Sequence, residues 1–237
     1  MMNSRYLKII AVITMTVDHV GHLLFPNVRA LRIIGRIAMP LFCLLIAYGI
    51  TKTRSAWKYF LRLFGFAVAV QIFFNLYIEG DLFAFYSWNV FFTLSFGVAA
   101  ASLLKIVITM ATDEAEMPLG RFCGMAGILL GSMAIVVSAS FLPIDYGSAG
   151  VLLVLMFYAA LRHSVTTLKI TAAASLAVFN FLLADITWSL QWYSLLALPF
   201  IFLFIDRKLS ISAFEKYAFY VYYPLHFAVI YFVGTLL

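Results

Sequence analysis

Residues 89–110, NVFFTLSFGVAAASLLKIVITM, carry a single charge, Lys105, over a stretch long enough to cross a bilayer as a helix. Similar apolar runs recur near residues 6–25, 33–51, 57–79, 121–141, 146–161, 168–184, 190–206 and 216–236. No feature constrains the fold more. In hydrocarbon a backbone must satisfy its own N–H and C=O groups, so each run is expected to be a helix. A spanning helix needs roughly 17 to 25 mainly apolar residues, so the expected count is nine, with 146–161 and 168–184 short, and an error of about one. Composition agrees: 65% of the 237 residues are hydrophobic and 11% charged, and the mean hydropathy is +1.04. A soluble domain has about half and about a quarter. The expectation is an all-α polytopic transmembrane helix bundle. No repeat, low-complexity run or linker divides it, so residues 1–237 read as one integral-membrane domain.

The charged residues between the runs set an orientation. Basic residues gather at alternate connections: Arg5 and Lys8; Lys52, Arg54, Lys58 and Arg62; Lys105 and Arg121; Arg162 and Lys169; Arg207, Lys208 and Lys216. The connections between carry Glu79 and Asp81, then Asp145, then Asp185. By the positive-inside rule the N-terminus is cytoplasmic. The net charge of +6 is accounted for in the same way, and no basic run interleaved with aromatics points to nucleic acid. The first run has the basic flank of a signal peptide but no small-residue cleavage site, and reads as a retained span. Cys43 and Cys123 both lie in apolar runs and behave as small hydrophobes. One connection departs from the alternation. PNVRALRIIGR is expected outside yet holds Arg29, Arg32 and Arg36, which topology alone does not explain.

Ionisable groups inside the runs are the functional candidates, because burying one costs about 2.5 kcal/mol or more on insertion scales. TMTVDHVGHLLF, residues 14–25, holds Asp18, His19 and His22. Asp18 and His22 are four apart on a helix, whereas Asp18 and His19 point about 100° apart, which makes His22 the expected helical partner of the aspartate. With a rise of about 1.5 Å per residue, His19 lies about 20 Å above Tyr6, in the outer half of the membrane and level with Arg36. The last run, YAFYVYYPLHF, places Tyr222 and Tyr223 four and three residues before His226. Pro224 releases the Tyr220 carbonyl, and a kink is expected there. His226 lies about 15 Å from Lys216, near the midplane. IDYGSAG, residues 144–150, suits a tight turn, close helix packing or a re-entrant loop. Gln71, Asn75, Asn89, Thr93 and Asn180 are single polar positions suited to interhelical hydrogen bonds.

Taken in order, LKIIAVITMTVDHVGHLLFP, IGRIAMPLFCLLIAYGITKTRSAWKYFLRL, NVFFTL, DYG and YAFYVYYPLHF resemble the TraX-type family of conjugative pilin acetylases over nearly the whole chain. The resemblance implies a multi-pass protein of the bacterial inner membrane that transfers acetyl from acetyl-CoA to the N-terminal amine of a pilin. It also implies kinship with the acyltransferase-3 group, whose members use an early-helix histidine. On that pattern His19 matches the DH histidine, Arg36 the GR arginine and Arg54 the arginine of the TR pair.

The residues themselves permit such chemistry. Acetyl-CoA carries several phosphate charges and must dock from an aqueous face, where Lys52, Arg54, Lys58 and Arg62 offer the right sign and Arg a bidentate grip. The pantetheine arm would then carry the thioester up between the helices. An imidazole titrates near neutral pH and suits a general base, so His19 is the expected base, with Asp18 orienting the site directly or through His22. Arg36, Tyr222, Tyr223 or His226 would stabilise the oxyanion, and His22 would contact substrate. No metal is expected, since the first helix alone cannot supply tetrahedral ligands. Two other classes fit the same residues. Asp18, His19 and His22 would serve a proton- or ion-coupled transporter, and a non-enzymatic pilus or envelope assembly factor would not need His19. The outer arginines point to an anionic element on the acceptor or on adjacent lipid.

Overall fold

The apolar runs fold as helices, several of which begin where a side chain caps the backbone. The computed structural model describes residues 2–76, 80–81, 86–112, 118–183, 190–206 and 213–236. Helix α1, Ser4–Leu23, begins at Asn3, whose side-chain oxygen accepts from the N–H groups of Arg5 and Tyr6 at 3.0 and 3.3 Å. After α2 (Arg29–Gly35) and α3 (Ala38–Lys52) comes α4 (Ala56–Phe74), capped by Ser55. Helix α5, Val90–Ala111, is capped by Asn89, and α6, Leu119–Ser138, starts behind Pro118. Helices α7 (Gly147–His163) and α8 (Val165–Leu183) follow. A 3₁₀ segment, Leu190–Ala197, runs into the short α9, Leu198–Phe202, and α10 spans Ala213–Gly234.

Two expected spans are corrected. The single helix expected over 33–51 is broken at Arg36 and Ile37, whose N–H groups bond three residues back to Ile33 and Ile34 at 3.2 Å. Pro40 has no N–H to offer the Arg36 carbonyl, so a continuous α-helix through this point would lose a bond. The run expected over 190–206 is 3₁₀ over Leu190–Ala197 and α-helical only over Leu198–Phe202; Pro199, in the first turn of α9, leaves the Leu195 carbonyl without an i+4 donor at the junction. The end of the run expected over 57–79 falls outside the described residues, as do Glu79, Asp185, Arg207 and Lys208.

Among the described residues, five stretches are long and apolar enough to cross a bilayer: Arg29–Lys52, Ala56–Phe74, Val90–Ala111, Leu119–Ser138 and Val165–Leu183. Gly147–His163, Leu190–Phe202 and Ala218–Gly234 are apolar but shorter. The chain is a multi-pass membrane protein.

The helices group into two compact units. In Ile46–Leu168, α5 is the centre and packs on α4, α6 and α7. Gly97 lets Val154 of α7 reach the α5 backbone, where an added Cβ would lie 2.8 Å from the Val154 Cβ. The buried amides of this unit, Gln71, Asn75 and Asn89, are paired. Gln71 donates to Asn75 Oδ1 and the Ser87 carbonyl at 2.9 Å, and its own oxygen accepts from the Asn89 N–H and Nδ2 at 3.0 Å. These positions, together with Ser132 donating to Ala100 O at 3.0 Å, are interhelical fasteners. The segment around Asp145 is a tight turn. Tyr146 and Gly147 take positive φ, Asp145 N–H donates to Trp88 O at 3.0 Å, and Thr93 donates to the Asp145 carbonyl.

The other unit, Met1–Leu45 with Lys169–Leu237, packs α1 against α2 and α10, and α2 against the 3₁₀ segment. Met2 pairs with the end of α9, donating to Leu203 O at 2.7 Å and accepting from Ile205 at 2.9 Å. Asn180 of α8 accepts from Ser194 at 2.8 Å.

Candidate functional site

Helix α1 buries Leu7, Ala11, Thr14 and Met15, and one turn later the same helix delivers Asp18 and His19 to different partners. The expected pairing of Asp18 with His22 is replaced. Asp18 Oδ2 accepts from Arg32 Nη1, and Oδ1 from Arg36 Nη2, each at 2.7 Å. His22 is exposed. Two guanidinium groups on one carboxylate outcompete a single imidazole because each supplies a full, permanent charge and a directed N–H. The geometry needs Gly35. A Cβ there would overlap the Oδ1, Cβ and Cγ of Asp18, so the absence of a side chain lets the carboxylate lie against the α2 backbone. Arg36 is further fixed by Nε donating to Arg32 O at 3.3 Å and Nη1 donating to Gln191 Oε1 at 3.4 Å.

His19 turns to α10. Its Nδ1 lies 2.7 Å from His226 Nε2, and His226 Nδ1 lies 3.1 Å from the Tyr222 carbonyl. Donor counting sets the tautomers of the neutral pair. A carbonyl only accepts, so His226 carries its proton on Nδ1 and its Nε2 must accept. His19 therefore donates from Nδ1 and keeps its lone pair on Nε2, an atom without a hydrogen-bond partner among the described residues. Phe227 packs 4.2 Å from the His19 ring, and the Tyr222 ring stacks on His226 at 5.2 Å. The Tyr222 hydroxyl shares a 2.6 Å hydrogen bond with Thr16 Oγ1. Tyr223, buried, meets His226 edge-on at 5.4 Å.

Asp18, His19, Arg36, Tyr222, Tyr223 and His226 are thus brought together in one unit. His22 lies on the exposed side, and α10 stays helical through Pro224. Sequence reasoning marked Arg32 only as one of three outer arginines unexplained by topology, not as a partner of Asp18, and did not select Gln191, Thr16, Phe227 or Gly35. The i, i+4 spacing of Arg32 and Arg36 was the available signal for that pairing. Lys52, Arg54, Lys58 and Arg62 belong to the other unit, at the α3–α4 connection, and are exposed. Lys52 lies over the Tyr48 ring at 5.1 Å and Arg62 over Tyr59 at 5.2 Å. Among the described residues no group of three or more His, Cys, Asp or Glu is placed to hold a metal.

Fold and site together define a class: a multi-pass helical membrane protein with a histidine pair and an arginine-clamped aspartate among its apolar helices. The chain belongs to the TraX protein family, whose model matches residues 3–234. It is 28% identical to a probable fimbrial assembly protein FimC, serogroup H1, of Dichelobacter nodosus, over 94% of this chain and 92% of that one. It is also 29% identical to an uncharacterised protein of Rickettsia prowazekii (strain Madrid E), over 69% of this chain but only 58% of the relative's length. No solved structure is significantly similar.

Proposed function

We propose that the protein is a membrane acetyltransferase that moves acetyl from acetyl-CoA to an amine, such as a pilin N-terminus, or to a hydroxyl of an envelope acceptor at the bacterial inner membrane. The observation that carries this reading is the His19–His226 pair, which leaves a lone pair on His19 Nε2 and fixes the ring that bears it. In the reaction His19 Nε2 takes a proton from the acceptor nitrogen or oxygen as that atom bonds to the thioester carbon. The oxyanion formed then collapses, the carbon–sulfur bond breaks, and the departing thiolate takes the proton back from His19. His226 accepts from His19 Nδ1 throughout and spreads the imidazolium charge towards the Tyr222 carbonyl. Asp18, held by Arg32 and Arg36, is a structural counter-charge in this scheme rather than the orienting carboxylate. Lys52, Arg54, Lys58 and Arg62 would receive the phosphates of the donor.

The test is thiol release from acetyl-CoA by the full-length protein in nanodiscs, with and without a peptide bearing a free N-terminal amine. His19→Ala should lower the rate at least about a hundredfold, the usual loss for a general base. A rate within a few-fold of wild type would sink the assignment. The fimbrial-assembly name of the Dichelobacter relative supports a second reading, in which the protein assembles an envelope polymer without catalysis. On that reading His19→Ala leaves assembly intact and the wild type releases no thiol.

A further inference from the structure

Thr16 and His19 lie one turn apart on α1, and Tyr222 and His226 one turn apart on α10, so two polar rungs join the helices. One rung is the histidine pair. The other is made of hydroxyls, Thr16 Oγ1 and the Tyr222 phenol at 2.6 Å, and proton counting gives it a direction. Thr16 Oγ1 also lies 2.9 Å from the Val12 carbonyl, which can only accept, and a threonine hydroxyl has one proton to give. Both contacts are satisfied together when Thr16 donates to Val12 and Tyr222 donates to Thr16. Tyr222 in turn meets His226 twice. Its carbonyl lies 3.1 Å from His226 Nδ1, and its ring stacks on the imidazole with an interplanar angle of 4° and centroids 5.2 Å apart.

We propose that Thr16 is a positioning residue of the site: by accepting the Tyr222 proton it holds that ring against His226, and so fixes the tautomer that leaves a lone pair on His19 Nε2. Without this bond the phenol is free to leave the stack, and the His226 ring loses the flat neighbour that keeps Nε2 at 2.7 Å from His19 Nδ1. A neutral imidazole released from that partner takes either tautomer, and the one protonated on Nε2 is no base. On this assignment the Tyr222 hydroxyl is committed to Thr16 and is not the donor to a developing oxyanion. The catalytic meaning rests on the acetyl-transfer reading, whereas the tautomers are read without turnover.

The experiment is nitrogen-15 NMR of the full-length protein, labelled at histidine and held in nanodiscs at mildly alkaline pH, with the four histidines assigned by substituting each in turn. In wild type His19 and His226 should both carry the proton on Nδ1 and be coupled across the bond between them. Thr16→Val, which keeps the shape and removes the hydroxyl, should give mixed tautomers at His19 and lose the coupling, whereas Thr16→Ser should keep the wild-type spectrum. Tyr222→Phe removes the same bond from the other helix, should match Thr16→Val, and carries the test if Thr16→Val does not fold. The double variant should be no worse than either single one. In the thiol-release assay these three variants should lose about three- to tenfold in kcat, the span of one hydrogen bond, with little change in KM. A folded Thr16→Val with the wild-type spectrum, or Thr16→Ser as disturbed as Thr16→Val, overturns the proposal. So does a far larger kcat loss in Tyr222→Phe than in Thr16→Val, which would put the phenol on the reacting oxygen. Spectra that behave as expected in a protein that releases no thiol would refute acetyl transfer and leave the positioning of the histidine pair by Thr16 standing.

Discussion

Gly35→Ala is the sharpest perturbation of the site that leaves every charged residue in place. A methyl group at this position falls on the Cβ, Cγ and Oδ1 of Asp18, so Asp18 must move or α1 and α2 must separate. Overpacking alone costs typically about 1–3 kcal/mol. Displacing the carboxylate also breaks its bonds to Arg32 and Arg36, and losing one partner of a buried ion pair costs about 3–5 kcal/mol. A loss of at least about 3 kcal/mol follows, or about 6–12 °C at the 2–4 °C per kcal/mol usual for 150–250 residues. The protein supplies its own probe: Cys43, in the same unit, is fully buried, whereas Cys123 is exposed. In a Cys123→Ser background, a thiol-reactive fluorophore reports the temperature at which Cys43 becomes accessible. Gly127→Ala is the control, since nothing lies within 4 Å of its added Cβ. Removing a helical glycine there should be neutral or stabilising by up to about 1 kcal/mol. If Gly35→Ala melts with Gly127→Ala, the close approach of Asp18 to α2 is wrong, and with it the clamp.

Other outcomes follow from the same geometry. His226→Leu should lower kcat for acetyl transfer about tenfold or more with little change in KM, because His19 loses the acceptor that fixes its tautomer. His226→Asn, whose amide oxygen still accepts, should recover part of that loss; equal loss in both variants would show that His226 merely packs. Replacing Lys52 and Arg54 together by Gln should raise KM for acetyl-CoA several-fold and leave kcat nearly unchanged, as expected for residues that grip the donor's phosphates. An unchanged KM would move the donor site elsewhere.

The sequence alone determined that this chain lives in a membrane and folds as helices, because apolar length and the backbone's need for internal hydrogen bonds leave little choice. It also marked Asp18, His19, Arg36 and His226, since an ionisable group among apolar residues stands out by its cost. Helix breaks were legible only in part: Pro40 and Pro199 are visible, but whether a helix restarts, stops or tightens into 3₁₀ depends on what packs beside it. Pairing was the tertiary structure's decision. Helical spacing offered Asp18 its neighbour His22, four residues on, yet the partners that hold it are 14 and 18 residues away. His19 meets a residue 207 positions distant. Local periodicity ranks neighbours on one helix and is blind to the next. What brings the charges together is the bare α-carbon of Gly35, which lets two helices approach closely enough for one carboxylate to bind both arginines.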